Sequence, residues 1–147
     1  LVTYDTLIDT TQEKISSILS ANSTVTAITS KILPGTPYTD IQKSIGMPYI
    51  KVETPTYSAV KKTFSTFIVS LTCPIVCYNT QASRGRELAD AVRKAITDNR
   101  SAMDLVELDE TRLPSTAHNE SILDDGKTVL YTDTITAIYQ YWGEIDV

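Results

Sequence analysis

The segment from Thr128 to Trp142 limits the choice of fold more than any other part of the chain. It contains no Gly or Pro and a single charge, Asp133, and it is dense in the β-branched and aromatic side chains that suit a pleated surface. Read as one strand, it places Val129, Tyr131, Asp133, Ile135, Ala137, Tyr139 and Tyr141 on one face. Leu130, Thr132, Thr134, Thr136, Ile138, Gln140 and Trp142 fall on the other. At ~3.4 Å per residue such a strand spans roughly 50 Å, against a usual length of about 5–6 residues. A chain of 147 residues is too small to bury it throughout, so part of it is expected to project or to meet another subunit.

A hydrophobic content of 41% and a charged content of 21% are globular values, and the whole chain, 1–147, reads as one domain. A net charge of −5 argues against wrapping nucleic acid, which needs clustered Lys and Arg. Eight Tyr against two Phe is a skew towards the amphipathic aromatics found at interfaces. Cys73 and Cys77 share a strand face with Cα atoms roughly 13 Å apart. A disulfide needs ~7 Å or less, so they read as buried free thiols. With His118 the only histidine, zinc is not expected. No apolar run reaches the ~18 residues of a membrane span. The sequence begins at Leu and not Met, consistent with a missing or processed N-terminal piece.

Along the chain, Leu7, Ile8, Thr11, Ile15, Ile18, Leu19 and Asn22 recur at helical spacing behind the candidate caps Thr3, Asp5 and Thr6, predicting a helix from about Asp5 to Ala21. A second short helical piece carries Val25, Ile28 and Ile32 on one side and stops at Leu33-Pro34-Gly35. Thr36–Met47 reads as a connection, Pro48–Glu53 as a short strand, and Thr54–Lys62 as a loop with an exposed tip that tolerates deletion. Thr63–Cys73 is a strand. Pro74 then predicts a sheet edge, a bulge or a break before Ile75–Tyr78 continues it. Thr80–Asn99 is the clearest helix, with the stripe Leu88, Ala91, Val92, Ala95 and Ile96 and the pairs Arg86–Asp90 and Asp90–Lys94 on its flank. Asn79, Thr80 and Ser83 compete to cap it. Met103–Leu108 reads as a short strand and Asp109–Lys127 as a polar loop. The class this order implies is α+β: a mainly antiparallel sheet, helices packed on one face, and a long projecting hairpin around Thr54–Lys62.

Catalytic constellations are thin. His118 lies in a polar stretch without a Gly-x-Ser-x-Gly elbow and reads as a solvated loop histidine. Asp104, Glu107, Asp109 and Glu110 read as a solvated strand end, and Asp124-Asp125-Gly126 as a turn, far short of a calcium loop. Arg84 and Arg86 could hold an anion at a helix start, with ordinary helix solvation the plainer reading. Lys61-Lys62 could touch phosphates or an acidic neighbour, or merely guard a strand edge. No catalytic residue, cofactor or metal is expected.

Three local patterns bring a family into view. They are an amphipathic N-terminal helix with a short apolar helix ending at Pro34-Gly35, and Pro48-Tyr49-Ile50-Lys51-Val52 followed by the Phe64–Cys77 strand and the Ala82–Ile96 helix. The third is a polar loop with Asp124-Asp125-Gly126 leading into a terminal strand that ends Tyr139-Gln140-Tyr141-Trp142. In this order of elements the chain resembles the small tail-terminator, or tail-completion, proteins of long-tailed bacteriophages over nearly its whole length. The Cys73-Pro74 interruption and the length of Asp109–Lys127 depart from that pattern. The resemblance implies a virion protein that closes a ring of about six copies through a heterologous interface. Such a ring sits on the head-proximal end of the tail tube, ends tube growth and joins the neck or connector. The implied partners are further copies of itself, the tail tube protein and the neck or connector protein. Genomic DNA would pass through the lumen without sequence-specific binding, and no membrane is involved. Candidate assembly contacts are Pro55, Tyr57, Lys61 and Lys62 in the loop, and Tyr139, Tyr141 and Trp142 at the end of the last strand. A head–tail connector, a tube or baseplate subunit and, more distantly, a small soluble enzyme are the alternatives.

Overall fold

A computed structural model describes residues 6–34, 48–62, 66–99, 103, 108–111, 115–122 and 126–144. Its axis is a pair of antiparallel strands, β4 (Thr66–Asn79) and β7 (Val129–Glu144). They pair without a register shift from Thr66 opposite Glu144 to Asn79 opposite Tyr131. Each outer edge of this ribbon is covered by two shorter strands laid end to end. Along β4 lie β2 (Tyr49–Val52) and β3 (Thr56–Lys62), both antiparallel to it. Along β7 lie β6 (Ser115–Ile122) and β5 (Leu108–Thr111), also antiparallel. A short β1 (Ile32–Pro34) pairs in parallel with β2 and completes a seven-stranded sheet.

One face of this sheet is covered by helices α1 (Leu7–Ala21), α2 (Ser23–Ile28) and α3 (Ala82–Asp98). The α+β class and the mainly antiparallel sheet follow the expectation. The helical stripes are the buried ones: Leu7, Thr11, Ile15, Ile18 and Leu19 on α1, and Leu88, Ala91, Val92, Ala95 and Ile96 on α3. They meet Val69, Leu71, Cys73, Ile75 and Cys77 of β4 and Ile135, Ala137, Tyr139 and Tyr141 of β7 in one core. The odd-numbered face of the last strand is thus the inner face. The long strand is accommodated within one chain because α3 and two flanking strands run beside it. On the opposite face Tyr49, Val76, Tyr78 and Leu130 form a smaller cluster, with the Tyr49 and Tyr78 rings stacked at 4.6 Å.

Of the three expected outcomes at Pro74, the sheet edge is the one found, and only locally, because β4 runs through it unbroken and without a register shift against β7. The break lies in the neighbour: β2 ends at Val52, opposite Ile75, and β3 begins at Thr56, opposite Thr72. The Pro74 carbonyl accepts from the Glu53 amide at 3.1 Å, so the backbone of Pro74 faces that gap and the missing N–H leaves no ladder bond unmade. The Val52 carbonyl at the same gap accepts from Gln12 Nε2 of α1 at 2.9 Å.

Several local expectations are corrected. Asn22 is not part of the α1 stripe. It separates α1 from α2, its Oδ1 accepting from the Thr24 and Val25 amides. Ile32–Pro34 is a strand and not the end of a helix, held beside β2 by the Ile50 amide donating to the Lys31 carbonyl. The cap position of α3 is Gln81, and Asn79 instead turns the chain out of β4 by accepting from the Thr80 and Gln81 amides. The ion pair on the α3 flank is Arg93 with Asp90 at 2.9 Å, an exposed pair of small worth. Met103 is a buried residue in a helical turn and not in a strand. Within Asp109–Lys127, read as a loop, lie most of β5 and all of β6. β6 escapes a sequence reading because it is exposed at all eight positions and carries no apolar face to betray its period. Asp104, Glu107, Asp124 and Asp125 lie outside the described residues.

Candidate functional site

The residues picked out for assembly fall at one end of the sheet. Tyr57, Leu71 and Tyr139 form one row across β3, β4 and β7, and Lys61, Ile68 and Trp142 another. Lys62 lies opposite Phe67 one step further out. Thr56–Lys62 is therefore a strand of the β3–β4 hairpin and not its loop, with a register shift between Ala59 and Lys61. Pro55 is buried in the gap between β2 and β3. Tyr139 and Tyr141 are 2% and 1% exposed, packed in the core with ring centroids 6.1 Å apart. Burial also pushes the Tyr139 phenol up from its ordinary pKa. These two tyrosines, expected at a subunit contact, are interior residues of their own chain. The β-strand period that put them on one face with Ile135 and Ala137 is what places them under α3. The burial of Cys73 and Cys77 as free thiols agrees with the reading from their spacing, and burial pushes Cys73 up to about 12.

The site that sequence reasoning missed is on β6. His118 is not a loop residue but sits opposite Asp133 of β7. Its Nδ1 lies 2.7 Å from Asp133 Oδ1 and its Nε2 lies 3.1 Å from Glu120 Oε1. Carboxylate oxygens only accept, and a neutral imidazole donates from one nitrogen, so the imidazolium is the form that satisfies both contacts. Asp133 is 5% exposed, and on its other side stands Cys77 of β4. Burial, and secondarily the Asp133 charge, push the Cys77 thiol up. The His118 ring stacks on Tyr131 at 6.2 Å, and Arg86 of α3 completes a cleft of about 390 Å³ with these groups. Hydrogen bonds to Asp133 and then Glu120 raise the His118 pKa above its ordinary 6.5.

This arrangement holds a histidine by both nitrogens, but the described lining of the cleft contains no Ser, Thr or Cys nucleophile. Among the described residues no three His, Cys, Asp or Glu side chains form a metal-binding group. The arrangement fastens an otherwise exposed strand to the ribbon. A group whose pKa is raised by folding stabilises the fold fully below its unfolded value and loses that contribution as pH rises through the folded one. The stabilisation from His118 is therefore complete below 6.5 and fades above it. His118→Ala should cost no more than about 1 kcal/mol at mildly acidic pH, because the half-exposed ring is screened by solvent and water can replace it at Asp133. The cost should shrink at pH 9, as read from urea melts at both pH values.

No helix among the described residues is long and apolar enough to cross a membrane. No protein-family model matches the chain, and no curated protein matches its sequence. Among solved structures its fold is similar to a chain in the virion of a native gene transfer agent particle. The TM-score is 0.56 at 11% identity, covering 88% of this chain and 94% of that one. At that identity the likeness is one of fold.

Proposed function

We propose that this protein is a structural subunit of a phage-like particle, forming a closed ring at the head-proximal end of the tail tube. There it ends tube polymerisation and offers the joining surface for the neck or connector. The observation that carries this reading is the likeness, over nearly the full length of both chains, to a component of a gene transfer agent virion. The outer sides of β3 and β6 support it, since they meet no further strand among the described residues and offer an edge on each side of the sheet to neighbours. The partners proposed are further copies of the chain, the tail tube protein and the neck or connector protein. A net charge of −5 suits a passage through which DNA slides without adhering.

A connector or neck protein is the neighbouring reading, and a tube subunit the next. Removing the gene from a producing strain separates them. A terminator's loss should give tails of uncontrolled length. A connector's loss should give tails of normal length that fail to join heads. A tube subunit's loss should give no tails.

A further inference from the structure

The two sides of the sheet differ in a way that assigns the ring contact. β6 pairs on one side with β7, opposite residues running from Ser115–Thr136 to Ile122–Val129 without a shift. Its other side meets no strand among the described residues. All eight of its residues are exposed, including Ile122 at 68%, a large apolar side chain left in water. It has no Pro, no Lys and no bulge to blunt it, and Glu120 and His118 are its only ionisable side chains.

Pro74 turns its carbonyl to Glu53, away from β7, so Pro74 and Thr136 do not exchange backbone bonds. Thr136 therefore bonds towards β6, and Ser115, Ala117, Asn119 and Ser121 face β7. Thr116, His118, Glu120 and Ile122 point their N–H and C=O groups outward. The His118–Asp133 contact at 2.7 Å agrees, because side chains approach most closely across non-bonded pairs.

On the far side of the sheet, β3 pairs with β4 and with no other strand among the described residues. The same parity turns the backbones of Tyr57, Ala59 and Lys62 outward. β3, β4, β7 and β6 alternate in direction, so β6 of one copy laid beside β3 of the next continues the alternation. The strands match in length, seven residues against eight. β3 carries Lys61 and Lys62 and no acid, whereas β6 carries Glu120 and no Lys or Arg, its His118 being matched by Asp133 of its own chain. We infer that β6 of one subunit adds in antiparallel fashion to β3 of a second copy, making one sheet that runs from subunit to subunit. This rests on the ring reading above and names its interface. β3 and β6 lie at opposite ends of the β4–β7 ribbon, so each added copy is offset along the strands, and the strands of a closed ring are inclined to its axis.

Amide exchange measured on the purified protein, at concentrations where it is dispersed and where it is assembled, tests this. Assembly should slow exchange at Thr116, His118, Glu120 and Ile122 and also at Tyr57, Ala59 and Lys62, each by at least about 100-fold. Thr116→Pro removes one outward N–H and leaves the β6–β7 ladder intact. It should keep its melting temperature and lose the ring in native mass spectrometry. Protection of the β6 amides alone would mean that β6 pairs with its own copy, and would overturn the inference. Rings with both sets of amides unprotected, or rings formed normally by Thr116→Pro, would overturn it and leave the ring reading standing. A wild-type protein that stays a single chain at every concentration would remove both.

Discussion

Val92→Asp should leave no folded protein. Val92 is 0% exposed and sits between Leu88 at 0% and Ile96 at 3%, on the α3 stripe that covers the β4–β7 ribbon. The core cluster around that stripe is made of Ala, Val, Leu, Ile, Cys, Met and Tyr side chains, with no cation among its buried residues. A carboxylate there would lose its hydration and find no cation to balance its charge, so it would ionise only with the chain unfolded. The expected loss is at least about 4 kcal/mol, against a total stability of roughly 5–15 kcal/mol for an ordinary domain. Val92→Ala, which removes only packing, should cost about 1–3 kcal/mol and still fold. Soluble yield and a far-ultraviolet melt distinguish the two. A Val92→Asp protein with a wild-type melt would mean that this face of α3 is not the core face.

Deleting Thr56–Lys61 should also unfold the protein, or nearly so, which reverses the tolerance expected of a loop tip. The segment is most of β3, and its ladder runs from Thr56 opposite Thr72 to Lys62 opposite Phe67. Removing it strips one edge of β4 over the stretch that carries Val69 and Leu71, both 0% exposed. At a net ~0.5–1.5 kcal/mol per hydrogen bond, losing about five ladder bonds costs roughly 3–7 kcal/mol. That is comparable with the whole stability of a domain. A deletion confined to residues 63–65 offers the contrast, because it removes none of the described β3–β4 pairs. A deletion of Thr56–Lys61 that melts like the wild type would show that β3 contributes nothing to the fold.

The parts of the fold legible in the sequence are those where burial is one-sided and imprints a period. The stripes of α1 and α3 and the inner face of β7 are of this kind, and all three are buried as their spacing indicates. β6 was illegible for the converse reason. An edge strand exposed on both faces needs no apolar alternation, so Ser115–Ile122 reads as a polar loop. β3 was hidden by Pro55 and by Lys61-Lys62, which look like loop chemistry until Pro55 is found filling the gap between β2 and β3. The candidate contacts suffered from a related ambiguity. Tyr suits both an interface and a half-polar core, and only packing against α3 decides that Tyr139 and Tyr141 are inside. The tie between His118 and Asp133 spans 15 residues of sequence and depends on the β6–β7 register, so no local pattern announces it. The family resemblance rested on element order. The fold carries most of that order, with β1, β3, β5 and β6 added where loops or helix ends were expected.

The central claim, a closed ring at the head-proximal end of a tail, is tested most directly by a reconstruction of the intact particle at a resolution that traces side chains. The account predicts density for this chain as one ring between the last turn of the tail tube and the neck, with β6 of each copy beside β3 of the next. Finding the chain repeated along the length of the tube, in the baseplate, or absent from the particle would contradict it.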